Sequence, residues 1–199
     1  MYVPFHMDRK AIGRIKLLLL MAVFLAPLTA AYTVFSQGWY SNTTVNYGDL
    51  IQPGRSMSGV VLRGAAGQPV AFGVSPRKWT MLYVSSAPCT KLCKAALYRM
   101  RQVHLAQGRQ ANRVRRVFIA AGGAVSADLQ SWSSDYPDMQ IVIAATDISD
   151  VWVRQYGLLS DRIYLVDPLG NLVMSYPPES NPSGMRKDLS RLLRASQIG

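Results

Sequence analysis

Residues 79–93 read WTMLYVSSAPCTKLC. The first seven, Trp79 to Ser85, are a near-continuous apolar run, the pattern of a central strand covered on both faces. Ala87 and Pro88 end it. From Cys89 to Gln107 the spacing becomes helical: Cys89, Cys93, Leu97, Met100 and His104 recur at steps of four, four, three and four, and so share one face. Gly108 is the expected stop. A buried strand running into a helix, with two thiols at the junction, sets the frame for the rest.

Downstream, Val114–Ala121 and Met139–Ala145 read as further strands. Ser126–Trp132 and Asp147–Tyr156 read as short helices between and after them. Ile163–Val166 and Leu172–Ser175 flank Asp167-Pro168-Leu169-Gly170, a strong turn signal, and are expected to form a hairpin. Ser183–Ser196 is a last amphipathic helix with Leu189, Leu192 and Leu193 on one side. Upstream, Gly59–Leu62 and Pro69–Val74 flank a Gly64-Ala65-Ala66-Gly67 turn. A hairpin, then β-α-β-α-β-α, then a hairpin and a helix predicts an α/β layered domain with a mixed sheet.

The chain has 199 residues, 49% of them hydrophobic and 17% charged, which excludes wholesale disorder. Its formal charge of +11 invites a nucleic-acid reading. The distribution argues against one: the cations scatter, and no helix-turn-helix, zinc-finger or RNP-like motif is present. One cluster, Arg109, Arg113, Arg115 and Arg116, is expected as a solvated basic face. An acidic protein or anionic lipid headgroups are its functional alternatives.

Leu17 to Phe35 is 19 residues without a charge, close to the ~20 that cross a bilayer as helix. Arg9, Lys10, Arg14 and Lys16 precede it, which holds the N-terminus in the cytoplasm. Trp39 and Tyr40 follow at the depth of an aromatic belt. A cleaved signal peptide with a site near Ala30 and Ala31 is the competing reading, but the apolar run continues past that point. The expected organisation is a cytoplasmic segment 1–16, a transmembrane anchor 17–36, a polar linker 37–56 and a domain 57–199. In a bacterium that places the domain in the periplasm, where cysteine pairs can be oxidised.

Cys89 and Cys93 are the only cysteines. A helix N-terminus stabilises thiolate through its partial positive charge and unpaired amides, and Lys91 and Lys94 add to that. Residues four apart can form a disulfide or hold one soft metal ion together. A purely structural disulfide is disfavoured, because so small a loop constrains little of the unfolded chain.

Gly67-Gln68-Pro69-Val70, WTMLYVSSAPC, the CxxxC pair, and Tyr164-Leu165-Val166-Asp167-Pro168-x-Gly170 follow one another in family order. In these, over residues 50 to 195, the chain resembles the Sco/SenC family of thioredoxin-like proteins. The resemblance implies a thioredoxin-like fold, with helices flanking a mixed central sheet, and a single inner-membrane anchor. It implies work on cytochrome c oxidase: copper delivery to the binuclear site of subunit II, or reduction of that site's cysteines. The family's copper ligands are the two cysteines, here Cys89 and Cys93, and a distal histidine. At the histidine's position stands Leu159, and Lys94 replaces the proline after the second cysteine.

The chain's two histidines do not repair the set. His6 lies in the cytoplasmic segment. His104 lies eleven residues after Cys93, about 16 Å along a helix, too far for a shared ion with bonds of ~2 Å. Met100 fails likewise, and Met81 and Met174 read as core. Two thiolates can still hold Cu(I) but hold Cu(II) poorly. The expectation is therefore an assembly factor with redox-active thiols, Cys89 attacking and Cys93 resolving. Its alternatives are a Cu(I) carrier for oxidase subunit II or another copper protein, and a redox-inactive scaffold. A peroxiredoxin motif before Cys89 is missing, and Ser160-Asp161-Arg162 lacks the proline of general thioredoxins.

Overall fold

The computed structural model describes residues 9–37, 45–65, 67–74, 76–85, 89–121, 135–144 and 155–198. They fall in two compact units, Met1–Val45 and Asn46–Gly199.

Among the described residues the first unit holds one helix, α1, Arg9–Ser36. Its stretch Ile12–Ser36 has a mean hydropathy of 2.2 and is long and apolar enough to cross a membrane. Pro27 lies inside it. Two residues on, the Thr29 hydroxyl donates back to the carbonyls of Leu25 and Ala26, which satisfies its own polar group within the helix. Trp39, Tyr40 and His6 lie outside the described residues.

The second unit is built on a six-stranded mixed sheet of order β1-β8-β7-β4-β5-β6. The strands are β1 (Asp49–Ser56), β4 (Trp79–Ser85), β5 (Val114–Ala121), β6 (Met139–Ala144), β7 (Arg162–Val166) and β8 (Asn171–Tyr176). β4, β5 and β6 run parallel. β7 is antiparallel to β4, and β8 and β1 continue antiparallel. Among the described residues two α-helices pack with the sheet, α2 (Lys91–Leu105) and α3 (Pro182–Ala195).

β4 is buried along its whole length, as its unbroken apolar run predicts. Met81 and Tyr83 point into one core with Leu97, Met100, Leu189 and Leu193 of the two helices. Leu82 and Val84 point into the other, with Val117, Tyr164 and Phe72. That second face is covered by a small hairpin, β2 (Val61–Arg63) and β3 (Pro69–Ala71), which docks on the edge of β6 through Ala65 N–H to Ile141 O, 2.8 Å. Met81 and Met174 are core residues, as expected.

The 167–170 turn forms as read. Asp167 Oδ1 accepts from the amides of Leu169 and Asn171, and Gly170 takes the φ of +92° that closes it. Of the two expected short helices, Ser126–Trp132 lies outside the described residues, as does Asp147–Tyr156 except for its helical end at Gln155 and Tyr156.

The stretch 37–56, expected as linker, contains β1. The strand pairs with β8 from Asp49↔Ser175 to Ser56↔Asn171, with a bulge between Leu50 and Arg55. Nearly every residue of this strand is exposed, so its side chains carry none of the alternation by which strands are read. The segment before it is fixed by packing. A Cβ on Gly48 would lie 2.5 Å from the Tyr176 ring, and one on Gly184 of α3 would lie 2.6 Å from Tyr47.

The arginine cluster corrects its expectation as a solvated face. Arg113 donates to the carbonyls of Leu193, Ser196 and Ile198 and so caps the end of α3. Arg115 lies 5.3 Å over the Phe72 ring and donates to Thr80 Oγ1 and Ala71 O. Arg116 is 3% exposed. Alternation along β5 sends Arg115 and Arg116 into opposite cores. Arg109 stays at the surface.

Candidate functional site

The site lies where β4 ends and α2 begins. β4 stops at Ser85, and the first helical residue is Lys91. Cys89 therefore stands just before the N-cap Thr90, and Cys93 in the first turn. The helix forms because its apolar residues recur at helical spacing: Cys93, Ala96, Leu97, Met100 and Val103 are its buried face.

Cys89 and Cys93 are joined in a disulfide with Cα atoms 5.2 Å apart, inside the range such bonds need. The two sulfurs differ in access. Cys93 is fully buried in the helix-side core. Cys89 is half-buried and only packs against that core. Thr90 makes no side-chain cap bond, and the first turn holds no acid. The positive partial charge of this helix end is therefore not offset by a capping side chain or a first-turn carboxylate. Such a terminus favours a thiolate over a thiol when the bond is reduced.

A polar pair borders the end of β4. The Tyr83 hydroxyl donates to Asp161 Oδ1 at 2.8 Å, and Asp161 N–H donates to Val84 O at 2.9 Å. Burial, then the Asp161 carboxylate, pushes the Tyr83 hydroxyl well above the ordinary tyrosine range. Asp161 adopts φ +62°, a conformation Asp tolerates better than most residues. Sequence reasoning passed over this pair. Its one legible signal is an acidic residue at the turn into β7.

The other residues considered as ligands stay apart from the cysteines. His104 is held at the far end of α2, where its Nε2 lies 2.9 Å from Ala111 O and 3.0 Å from Val114 O. It clips the helix to the 3-10 turn Gly108–Arg113 that follows. Met100 is buried core. Leu159 is exposed and offers no donor atom in its side chain. Among the described residues no three His, Cys, Asp or Glu side chains gather as a metal site. Once reduced, the donor set among the described residues is two sulfurs, which fits a low-coordinate soft ion such as Cu(I) as cargo.

The model of one family, described as transmembrane-like, thioredoxin-like, C-terminal domain, matches residues 79–196. The chain belongs to this family. The matched stretch runs from the first residue of β4 past the end of α3, and so includes the cysteine pair. Proteins of curated function give no match in sequence.

Solved structures extend the likeness in fold. Apo Sco1 of Thermus thermophilus superposes with a TM-score of 0.60 at 15% identity, covering 77% of this chain and 98% of that one. Copper-bound ScoI of Bradyrhizobium japonicum gives 0.53 at 19% identity, covering 72% and 98%. The thioredoxin domain of a thiol-disulfide oxidoreductase of Bacteroides vulgatus gives 0.56 at 15% identity, covering 72% and 99%. The expected thioredoxin-like fold and its likeness to Sco proteins are thus borne out.

Proposed function

We propose that this protein is a membrane-anchored assembly factor that reduces cysteines of a copper protein through Cys89 and Cys93. The observation that carries the reading is the asymmetric pair: one half-exposed sulfur at a helix N-terminus, bonded to one fully buried sulfur. In the reduced protein the Cys89 thiolate attacks a target disulfide and expels one target thiolate. The Cys93 thiolate then attacks Cys89, expels the second target thiolate and restores the Cys89–Cys93 bond. Two electrons pass to the target, the expelled thiolates take up protons, and an external dithiol must reload the pair. The fold likeness to Sco proteins, a family of cytochrome c oxidase assembly proteins, supports oxidase subunit II as the target. The apolar α1 supports an inner-membrane anchor, with the basic segment before it cytoplasmic and the domain periplasmic.

A second reading is a Cu(I) carrier. It is favoured by the closeness of the two sulfurs and by the copper-bound ScoI neighbour. An anaerobic Cu(I) titration of the reduced protein against a competing chelator separates the two, with the Cys89→Ser, Cys93→Ser double variant as control. One tightly held ion, lost in the variant, makes it a carrier. No competitive binding, with a Cys89/Cys93 dithiol that still reduces an oxidised subunit II copper-site peptide and ends as the disulfide, leaves thiol reduction.

A further inference from the structure

At the far end of α2 from the disulfide, a cleft of about 400 Å³ opens between Gln107 and the outer face of α3. Arg186, Lys187, Arg191 and Arg194 line it, with Ser190 between them and no carboxylate among the lining residues. Asp188 lies on the same helix but turns inward. It is 2% exposed, and its Oδ2 accepts from the amides of Tyr47 and Gly48 and from the Tyr176 hydroxyl. Its Oδ1 lies 3.4 Å from Arg191, so one of the four cations is partly balanced. The polar floor is already ordered: Ser190 donates to Gln107 Oε1 at 2.9 Å, and Gln107 Nε2 donates to Val103 O at 3.2 Å. Such a cleft suits an anion bearing several oxygens.

We propose that this cleft binds the phosphate of anionic phospholipid headgroups and seats this end of the domain on the membrane. The inference rests on reading α1 as a membrane anchor. Two further observations select lipid over an acidic protein segment. First, the polypeptide joins this unit beside the cleft. Lys187 Nζ lies 5.2 Å over the Tyr47 ring and 3.2 Å from its hydroxyl. α1 ends at Ser36, eleven residues earlier, a tether of at most about 40 Å when fully extended. Second, the ring under the lining residue Lys187 is itself largely exposed, Tyr47 at 55%. Aromatic bodies and long cationic side chains share the headgroup layer in this way. The disulfide sits at the other end of α2, a helix of 15 residues and about 22 Å. Docking by the cleft leaves the thiols turned away from the lipid, toward an incoming partner.

The test is hydrogen exchange on the full chain in nanodiscs, either of phosphatidylcholine alone or of equal parts phosphatidylcholine and phosphatidylglycerol. Amides of residues 182–195 are expected to exchange about tenfold more slowly in the anionic discs. The double variant Arg186→Gln, Arg194→Gln should abolish that difference while exchange in β4 and β5, the control for folding, is unchanged. Equal exchange in the two discs, with the protein inserted in both, overturns the proposal. So does protection by free inorganic phosphate, or by an acidic peptide, in neutral discs when phosphatidylglycerol gives none. A chain that fails to insert in either disc overturns the anchor reading, and the headgroup proposal with it.

Discussion

The Tyr83 hydroxyl, rooted in a strand that is buried on both faces, reaches Asp161 at 2.8 Å, and Asp161 holds φ +62° at the turn into β7. The bond ties the end of the strand that leads to the cysteines to the turn before the neighbouring antiparallel strand. Asp161→Asn keeps an acceptor and the tolerance for this backbone conformation, and should cost under about 1 kcal/mol. Asp161→Ala leaves a buried hydroxyl unsatisfied and strains the backbone, and should cost about 2–4 kcal/mol. Urea unfolding of the two variants checks the ordering.

Alkaline pH tests the same tyrosine together with Tyr176. Burial raises both hydroxyls above the ordinary value of 10.0, and a nearby carboxylate adds to each shift. The folded state therefore keeps protons that the unfolded state releases above about pH 10. Stability from these groups is fully present below that pH and falls as pH rises, by about 1.4 kcal/mol per unit for each tyrosine. Tyrosinate absorbance of the two should appear only with unfolding, and Tyr83→Phe should flatten the slope.

The difference in access between the sulfurs predicts an order of events. Cys93→Ser should trap a mixed disulfide between Cys89 and a target peptide, visible by mass spectrometry without reductant. Cys89→Ser should trap little, because Cys93 is fully buried. Equal trapping by both variants would show that burial does not set the order of attack.

Asp188 joins three parts of the molecule through one carboxylate: the segment before β1, the Tyr176 hydroxyl at the end of β8, and its own helix α3. Asp188→Ala leaves these donors without an acceptor and should cost about 3 kcal/mol or more. Hydrogen exchange should rise first in β1, whose side chains add little burial of their own.

Arg116 is a charge held inside the domain. Its Nη2 is 3.9 Å from the exposed Asp138, and its Nε and Nη1 have no hydrogen-bond partner among the described residues. Burial lowers the guanidinium's pKa. Replacing a poorly compensated buried ion by an apolar group of similar size is commonly neutral or stabilising by about 1–4 kcal/mol. Arg116→Met should therefore hold or raise the Tm, measured by calorimetry.

How much could be read in advance differs by element. β4 was legible because burial on both faces demands a continuous apolar run, β5 and β6 because each carries a shorter apolar stretch, and the 167–170 hairpin because a tight turn demands residues such as Asp167 and Gly170. The cysteine pair was legible because a strand-to-helix junction puts residues four apart side by side. β1 was not, since an exposed edge strand is held by backbone bonds to β8, which leave no side-chain pattern. The arginines in β5 and in the turn before it misled because a cluster of cations looks alike whether it faces water, stacks on Phe72 or caps the end of α3.

The sequence by itself therefore determined the layered α/β class, an apolar helix long enough for a membrane, and the chemistry available at Cys89 and Cys93. These depend on local periodicity and on residues near in the chain. Tertiary structure decided which sulfur is accessible, where His104 is held, that Tyr83 meets Asp161, and that four cations of α3 share a cleft with the turn after α2. Those are contacts between residues up to 83 positions apart, such as Ser190 with Gln107, and only the packing of helices on a sheet brings such residues together.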